Sequence, residues 1–174
     1  MLLLEEQFSE RLFFRKVVPQ DFDVWLPFYE NPASTQYWNG LPKNPEKACR
    51  QQFDRIFERY EKRLGGMNAL IDKNSSKLIG MCGLLIQIVD GVKELEIGYS
   101  VLPQQWRKGY AFEAAQKCKL YAFENKLAKS LISIIHVDNT PSKKVALKNG
   151  MHLDKITTYK ENPVGIFRIA PLGM

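Results

Sequence analysis

The feature that most constrains this chain is a change of hydrophobic period. Glu94-Leu95-Glu96-Ile97-Gly98-Tyr99-Ser100-Val101-Leu102 alternates with the two-residue period of a strand. It runs into Gln105-Trp106-Arg107-Lys108-Gly109-Tyr110-Ala111, and then into the alanine-rich helical run that begins Phe112-Glu113-Ala114-Ala115. The middle stretch is therefore a loop that leaves a strand and opens a helix. Strand alternation puts Glu94, Glu96, Gly98 and Ser100 on one face and Leu95, Ile97, Tyr99 and Val101 on the other. A glycine with two neighbouring cations at a helix start presents free backbone N–H groups and the positive end of the helix dipole, which suits a phosphate. The loop holds one glycine and matches neither the dinucleotide nor the Walker pattern. By itself it reads more readily as a plain strand-to-helix turn than as a diphosphate cradle.

The flanking signals follow in a definite order. Residues 12–17 read as a strand ended by Pro19, and residues 21–29 as a short helix with Val24, Trp25 and Phe28 on one side. Pro27 falls inside that helix, where its ring ends or kinks it. Residues 31–45 form a loop containing Tyr37-Trp38-Asn39-Gly40, whose aromatics either meet a ligand or plug the core beside the first helix. Asn44 as N-cap and Pro45 in the first turn open a helix with an apolar stripe of Cys49, Phe53, Ile56, Phe57, Tyr60 and Leu64, ended by Gly65-Gly66. Strands follow at 67–71, 78–89 and 92–101, the last two joined by Asp90-Gly91, a hairpin signal. The central helix covers 109–125 and the next strand 131–137. A helix capped at Thr140-Pro141 ends at Gly150 in the left-handed conformation, and a hairpin of 153–159 with 164–170 closes the chain. This order gives one α/β (α+β) domain over the 174 residues, with a mixed sheet that is not doubly wound.

Composition excludes several classes of function. No apolar run approaches the length of a membrane span, and Met1-Leu-Leu-Leu is followed by Glu5-Glu6 instead of a cleavage site. The expected location is the cytoplasm, without a membrane partner. Cys49, Cys82 and Cys118 are widely spaced and odd in number, as expected of free thiols in a reducing compartment, and Cys118 lies among core positions. No His, Cys and carboxylate cluster has metal-ligand spacing, so no metal is expected. The net charge of +6 invites a nucleic-acid reading, but Lys and Arg are spread along the chain with no recognition motif. A polyanionic cofactor accounts for part of the charge, and no nucleic-acid partner is expected.

Three blocks carry a family resemblance. Trp106-Arg-Lys-Gly109-Tyr110-Ala111-Phe-Glu113-Ala114 resembles the acetyl-CoA pyrophosphate loop of GNAT-superfamily N-acetyltransferases, in the form used by the branch that acetylates ribosomal-protein N-termini. Glu96-Ile97-Gly98-Tyr99 resembles that branch's E-I-G-Y. Asn139-Thr-Pro-Ser142 with Lys148-Asn-Gly150-Met151 resembles its N-x-x-S and K-x-G-F. The match runs from about Lys77 to Met151 and is only topological before that. The resemblance implies the GNAT fold: a mixed, mostly antiparallel sheet flanked by helices, in which two central parallel strands, here 92–101 and 131–137, splay apart around pantetheine. It implies acetyl-CoA as cofactor, with the backbone of Val101 and Leu102 pairing with pantetheine. Trp106, Arg107, Lys108, Gly109, Tyr110 and Ala111 would hold the pyrophosphate, with Arg107 in place of the branch's usual glycine.

The implied reaction is acetyl transfer to a primary amine, on a protein N-terminus or a small molecule, by direct attack in a ternary complex. Glu96 would relay a proton from the incoming ammonium, or serve as a structural carboxylate. Asn139 and Ser142 would contact the cofactor near its reactive end, beside a capping role at a helix start. The tyrosine that many relatives use as general acid is replaced by Ala146, which leaves Ser142, water or no acid at all to protonate the thiolate. His136, at a strand end near the same gap, reads as structural. The alternative is a non-catalytic coenzyme-A-binding sensor or assembly protein. Monomer and homodimer are both compatible with the sequence.

Overall fold

The computed structural model describes residues 1–171. Eight strands form one sheet: β1 Gln7–Phe8, β2 Leu12–Lys16, β3 Gly65–Asp72, β4 Leu78–Val89, β5 Val92–Val101, β6 Leu131–His136, β7 His152–Tyr159 and β8 Asn162–Ile169. Their spatial order is β1-β2-β3-β4-β5-β6-β8-β7, and every neighbouring pair is antiparallel except β5 with β6. The helices are α1 Phe22–Glu30, α2 Pro32–Thr35, α3 Pro45–Glu61, α4 Tyr110–Glu124 and α5 Thr140–Lys148. α4 and α5 bury Ala114, Ala115, Cys118, Ala122 and Ala146 against Leu95, Ile97, Leu131 and Ile135 on one face of the sheet. α1 and α3 bury Trp25, Cys49, Phe53 and Ile56 against Ala69, Met81 and Leu102 on the other. The element order implied a mixed sheet, and the mostly antiparallel sheet flanked by helices is the architecture the family resemblance implied.

Local chemistry explains most boundaries. The Asn44 side chain accepts from the Lys47 amide at 2.9 Å, so the cap and Pro45 start α3 as expected. Pro27 is accommodated inside α1, which continues to Glu30. Its missing N–H leaves the Asp23 carbonyl without a helical donor, and the helix ends three residues later. The expected stop at Gly65-Gly66 is displaced: α3 ends at Lys62, Arg63 reverses the chain with φ 55°, and both glycines open β3. The cap of α5 is Asn139, one residue before the expected Thr140; its side chain accepts from the Ser142 amide at 3.1 Å. Strand β1 and helix α2 have no periodic signal, because two and four residues are too few to carry one.

The opening in the sheet has a specific cause. β5 and β6 share one registered pair, Glu96 with Ile132. The next parallel rung would join the Ile97 carbonyl to the Ile134 amide. Instead the Ser133 hydroxyl donates to the Ile97 carbonyl at 2.8 Å. With that carbonyl taken by a side chain the rung does not form, and the strands share no registered pair beyond Glu96 with Ile132. β6 keeps full pairing with β8 up to His136 and Val164, while β5 keeps full pairing with β4 up to Val101 and Gly80. The sheet therefore divides between two intact halves.

Candidate active site

The strand-to-helix loop lies at the open end of this division. A 3₁₀ turn at Pro103–Gln105 leads out of β5, and the Trp106 indole folds back to donate to the Val101 carbonyl at 2.7 Å. The Leu102 amide donates to the Ile79 carbonyl at 3.0 Å. Arg107 and Gly109 both take left-handed conformations, with φ 62° and 82°, and Gly109 is the N-cap of α4. Among the described residues, the six consecutive amides from Arg107 to Phe112 donate to no protein acceptor. Six free donors, a helix dipole behind them and the exposed side chains of Arg107 and Lys108 make an anion cradle out of backbone.

The cradle is braced from the far edge of the sheet. Glu113, in the first turn of α4, accepts from the Ser9 hydroxyl at 2.6 Å and from the Arg11 amide at 2.7 Å. It also accepts from the Arg11 guanidinium at 2.7 Å. Burial pushes the Glu113 carboxyl up, but the donors from Ser9 and Arg11 outweigh it and hold the group below its ordinary value. Arg11 also donates to the Lys108 carbonyl at 2.9 Å and lies 4.3 Å from the Tyr110 ring centroid. A carboxylate next to an anion site is thus neutralised in place by its own arginine.

On the α3 side of the division, Glu96 is partly buried at the last registered pair. Burial raises its carboxyl above the ordinary value, against the Gln87 hydrogen bond, the charge of Arg59 and the Ile134 amide. Gln87 donates to Glu96 at 2.7 Å and accepts from the Tyr159 hydroxyl at 2.9 Å. His136, two residues beyond Ile134, is 8% exposed. Its Nδ1 accepts from the Asp138 amide at 3.1 Å, which puts the proton of the neutral ring on Nε2 and makes that atom a donor. The Tyr37 ring lies 6.0 Å from the His136 ring, and the Asn39 amide donates to the Asn162 side chain at 2.8 Å. The loop after α2 and the β7–β8 turn, remote in sequence, are thereby joined over this face. Trp38 does not plug the core beside α1; it is 36% exposed and lines a surface cavity of about 320 Å³ with Tyr29 and Leu41.

Asn139 and Ser142 stand at the start of α5, on the β6 side of the opening. Among the described residues the Ser142 hydroxyl makes no hydrogen bond, while its carbonyl accepts from the Tyr99 hydroxyl at 2.9 Å. That bond links the two sides of the opening. Burial raises the Tyr99 phenol far above its ordinary value, so it remains a donor at neutral pH. Tyr99→Phe is expected to cost roughly 1 kcal/mol, the usual worth of one such bond, seen as a lower urea midpoint. Ala146 is 1% exposed and packed with Met151 and the α4 side of the sheet, so a tyrosine there would overpack the core.

Sequence reasoning reached Glu96, Asn139, Ser142 and the loop, but not the groups that hold them. Ser9 and Arg11, Gln87 and Tyr159, and Ser133 lie in strands or turns with no motif of their own. The nearest available signal was a lone polar Ser133 within the apolar run Leu131-Ile132-Ser133-Ile134-Ile135. Cys82 and Cys118 are buried neighbours with sulfurs 3.5 Å apart, and Cys49 is buried in the α3 core. Among the described residues there is no group of His, Cys, Asp and Glu able to hold a metal ion, and no helix long and apolar enough to cross a membrane.

Residues 11–152 match the family described as an acetyltransferase (GNAT) domain. A Bacillus licheniformis protein named uncharacterized N-acetyltransferase p20 is 30% identical over 153 residues, 87% of this chain and 84% of its own. An acetyltransferase structure from Agrobacterium tumefaciens superposes with a TM-score of 0.81 at 22% identity, covering 98% of this chain and 97% of the other. RimL, a ribosomal L7/L12 alpha-N-protein acetyltransferase solved with coenzyme A, superposes with a TM-score of 0.75 at 15% identity, covering 95% and 97%.

Proposed function

The chain belongs to the GNAT acetyltransferase family, and from that premise we propose that it transfers acetyl from acetyl-CoA to a primary amine at the division between β5 and β6. The observation that carries the reading is the run of six unpaired amides beside a sheet opened by its own side chains. The amides from Arg107 to Ala111, with the Arg107 and Lys108 side chains, suit a pyrophosphate, and Trp106 steadies the turn. Val101 offers pantetheine its amide, since its carbonyl is engaged by Trp106. Leu102, expected to pair with pantetheine, has no free backbone group for it: its amide is held by Ile79, its carbonyl by the Gln105 amide, and its side chain is buried in the α1–α3 core. When bound, acetyl-CoA supplies an activated acyl group for direct attack by the amine in a ternary complex.

Glu96 is the proton acceptor in this reading. A carboxyl raised by burial is a better base than an ordinary one, and Gln87, itself oriented by Tyr159, fixes which oxygen is free to act. Asn139 holds the first turn of α5, where the Ser142 hydroxyl is free to reach the cofactor's sulfur end. Ser142→Ala keeps both backbone contacts of that residue and removes only the hydroxyl. Its expected effect on turnover is well below the ~10²-fold of a positioned acid, because a thiolate leaves readily without help. A larger loss in steady-state assays would make Ser142 the general acid.

The acceptor is an amine of a protein N-terminus or a small molecule. A similarity of fold to a ribosomal-protein N-terminal acetyltransferase supports the first. The deciding experiment measures thiol release from acetyl-CoA across a panel of peptides and small amines, beside direct coenzyme A binding. Release that depends on an amine supports the enzyme. Tight binding with no release for any amine would favour a non-catalytic coenzyme A sensor.

A further inference from the structure

We propose that the acceptor carries a carboxylate close to the amine that is acetylated, recognised by a cationic wall of Arg55, Arg59 and Lys160 beside Glu96. The inference rests on the acetyltransferase reading and narrows its substrate.

A cavity of about 160 Å³ is lined by Arg55, Glu58, Arg59, Lys62 and Leu64. Glu58 is paired with Lys62 within the same helix, so the uncompensated charges of the lining are Arg55 and Arg59. Arg59 is anchored through Nη2, which donates to the Leu64 carbonyl at 2.9 Å and the Ile86 carbonyl at 2.6 Å. Its Nε is buried and has no acceptor among the described residues. Ile86 directly precedes Gln87 in β4, so Arg59 lies near the Gln87 partner of Glu96, and its charge acts on both Glu96 and Tyr159.

Lys160 completes the wall from the opposite side. It is the first residue of the two-residue β7–β8 turn, Lys160-Glu161, and both residues hold left-handed conformations with φ 47° and 64°. Such turns ordinarily take Asn-Gly, so two long charged side chains here keep backbone strain in place. The turn is pinned by Asn162, which is 2% exposed, donates to the Lys160 carbonyl at 2.8 Å and accepts from Asn39. The Lys160 ammonium lies 5.3 Å from the Tyr159 ring centroid. Partial burial, then the charge of Arg55, draws it below its ordinary value, with Glu96 opposing and Arg59 adding to the effect. Arg59, through Ile86 next to Gln87, and Lys160, through Tyr159, therefore lie near Glu96, and Arg55 stands one helical turn before Arg59 on α3.

Other cations of this surface, such as Arg50 and Lys62, are neutralised in ion pairs. Arg55, Arg59 and Lys160 are in none among the described residues. A bare ammonium approaching three cations and one carboxylate is repelled. An amine that brings its own carboxylate is attracted, is oriented by planar guanidinium groups, and presents its nitrogen to Glu96. The same cations favour loss of the proton that Glu96 must take.

The test compares matched acceptors with the full-length enzyme: an amino acid against its amide, and a peptide with Asp and Glu after its N-terminal residue against the same peptide with Asn and Gln. The expected kcat/KM is at least about tenfold higher for the carboxylate-bearing member of one pair, and the ratio falls with added salt. Lys160→Glu and Arg55→Gln, both at exposed side chains, should lower that ratio, Lys160→Glu to unity or below. Equal rates within each pair, a preference for the neutral member, or a preference that both variants leave intact would overturn the proposal. A loss confined to the amino-acid pair or to the peptide pair identifies the source of the carboxylate. If no amine is acetylated while coenzyme A binds, the acetyltransferase reading fails, and this inference with it.

Discussion

Acetyl-CoA at about a hundredfold excess over its dissociation constant is expected to stabilise the protein by roughly 2.7 kcal/mol, and Gly109→Val is expected to abolish that gain. For a chain of this size the gain corresponds to a rise of about 5–10 °C in the midpoint of a thermal melt. Gly109 has φ 82° and caps α4 in the middle of the free amides. A β-branched residue is strained in that conformation, and relief of the strain turns the amides away from a common centre. The only neighbour a new Cβ would approach is the Arg11 Nη2 atom at 3.3 Å, the end of a flexible side chain. The variant should therefore fold, with its melting curve in the absence of cofactor lowered by no more than about 2 kcal/mol of strain. A melt shift equal to that of the wild type would remove the loop from the cofactor site.

Glu96→Gln is expected to lower turnover by about 10²–10⁴-fold, the usual contribution of a general base, while the acetyl-CoA melt shift stays as it was. Burial holds the Glu96 carboxyl above its ordinary value. Its base form, and with it the rate, is gained as pH rises through that elevated pKa. The low-pH limb of kcat/KM should therefore lie above the ordinary carboxylate range, and the variant should lose it. Any limb left in the variant belongs to the acceptor amine. The amide cannot keep every partner that the carboxylate has, since its NH₂ donates where a carboxylate oxygen accepted. The unchanged cofactor shift is thus the control for a preserved opening. Full rate with an unaltered pH profile would make Glu96 a structural residue.

The sequence left a structural role for Glu96 open, but did not show the groups it would meet. Alternation put Glu96 on the face opposite Leu95 and Ile97, and the structure agrees, because the pleat of a strand fixes faces locally. Alternation is silent on which backbone group a side chain intercepts. The Ile134 amide lies 38 positions away, and only the parallel register Glu96 with Ile132 brings it within reach. Gln87 and Tyr159 join Glu96 for the same reason: β4 and β7 reach it through sheet neighbours and a turn, not through a motif.

By itself, the sequence determined what short-range physics controls. The two-residue period marked the long strands, Asn44 with Pro45 fixed the start of α3, and Asp90-Gly91 fixed the hairpin, with φ 48° and 77°. The glycine at 109 and the helix behind it marked the amide cradle, since a left-handed cap and a helix start are local. Tertiary structure decided everything that depends on chain segments meeting. It brought Ser9 and Arg11 across about a hundred residues to neutralise Glu113, and it placed the Ser133 hydroxyl on the Ile97 carbonyl where the β5–β6 ladder ends. It also brought Arg59 from a helix and Lys160 from a remote turn toward Glu96, through Ile86 and Tyr159. Local rules act over a few residues, whereas charge and hydrogen bonding act over a few ångströms of space, and only the folded sheet converts one distance into the other.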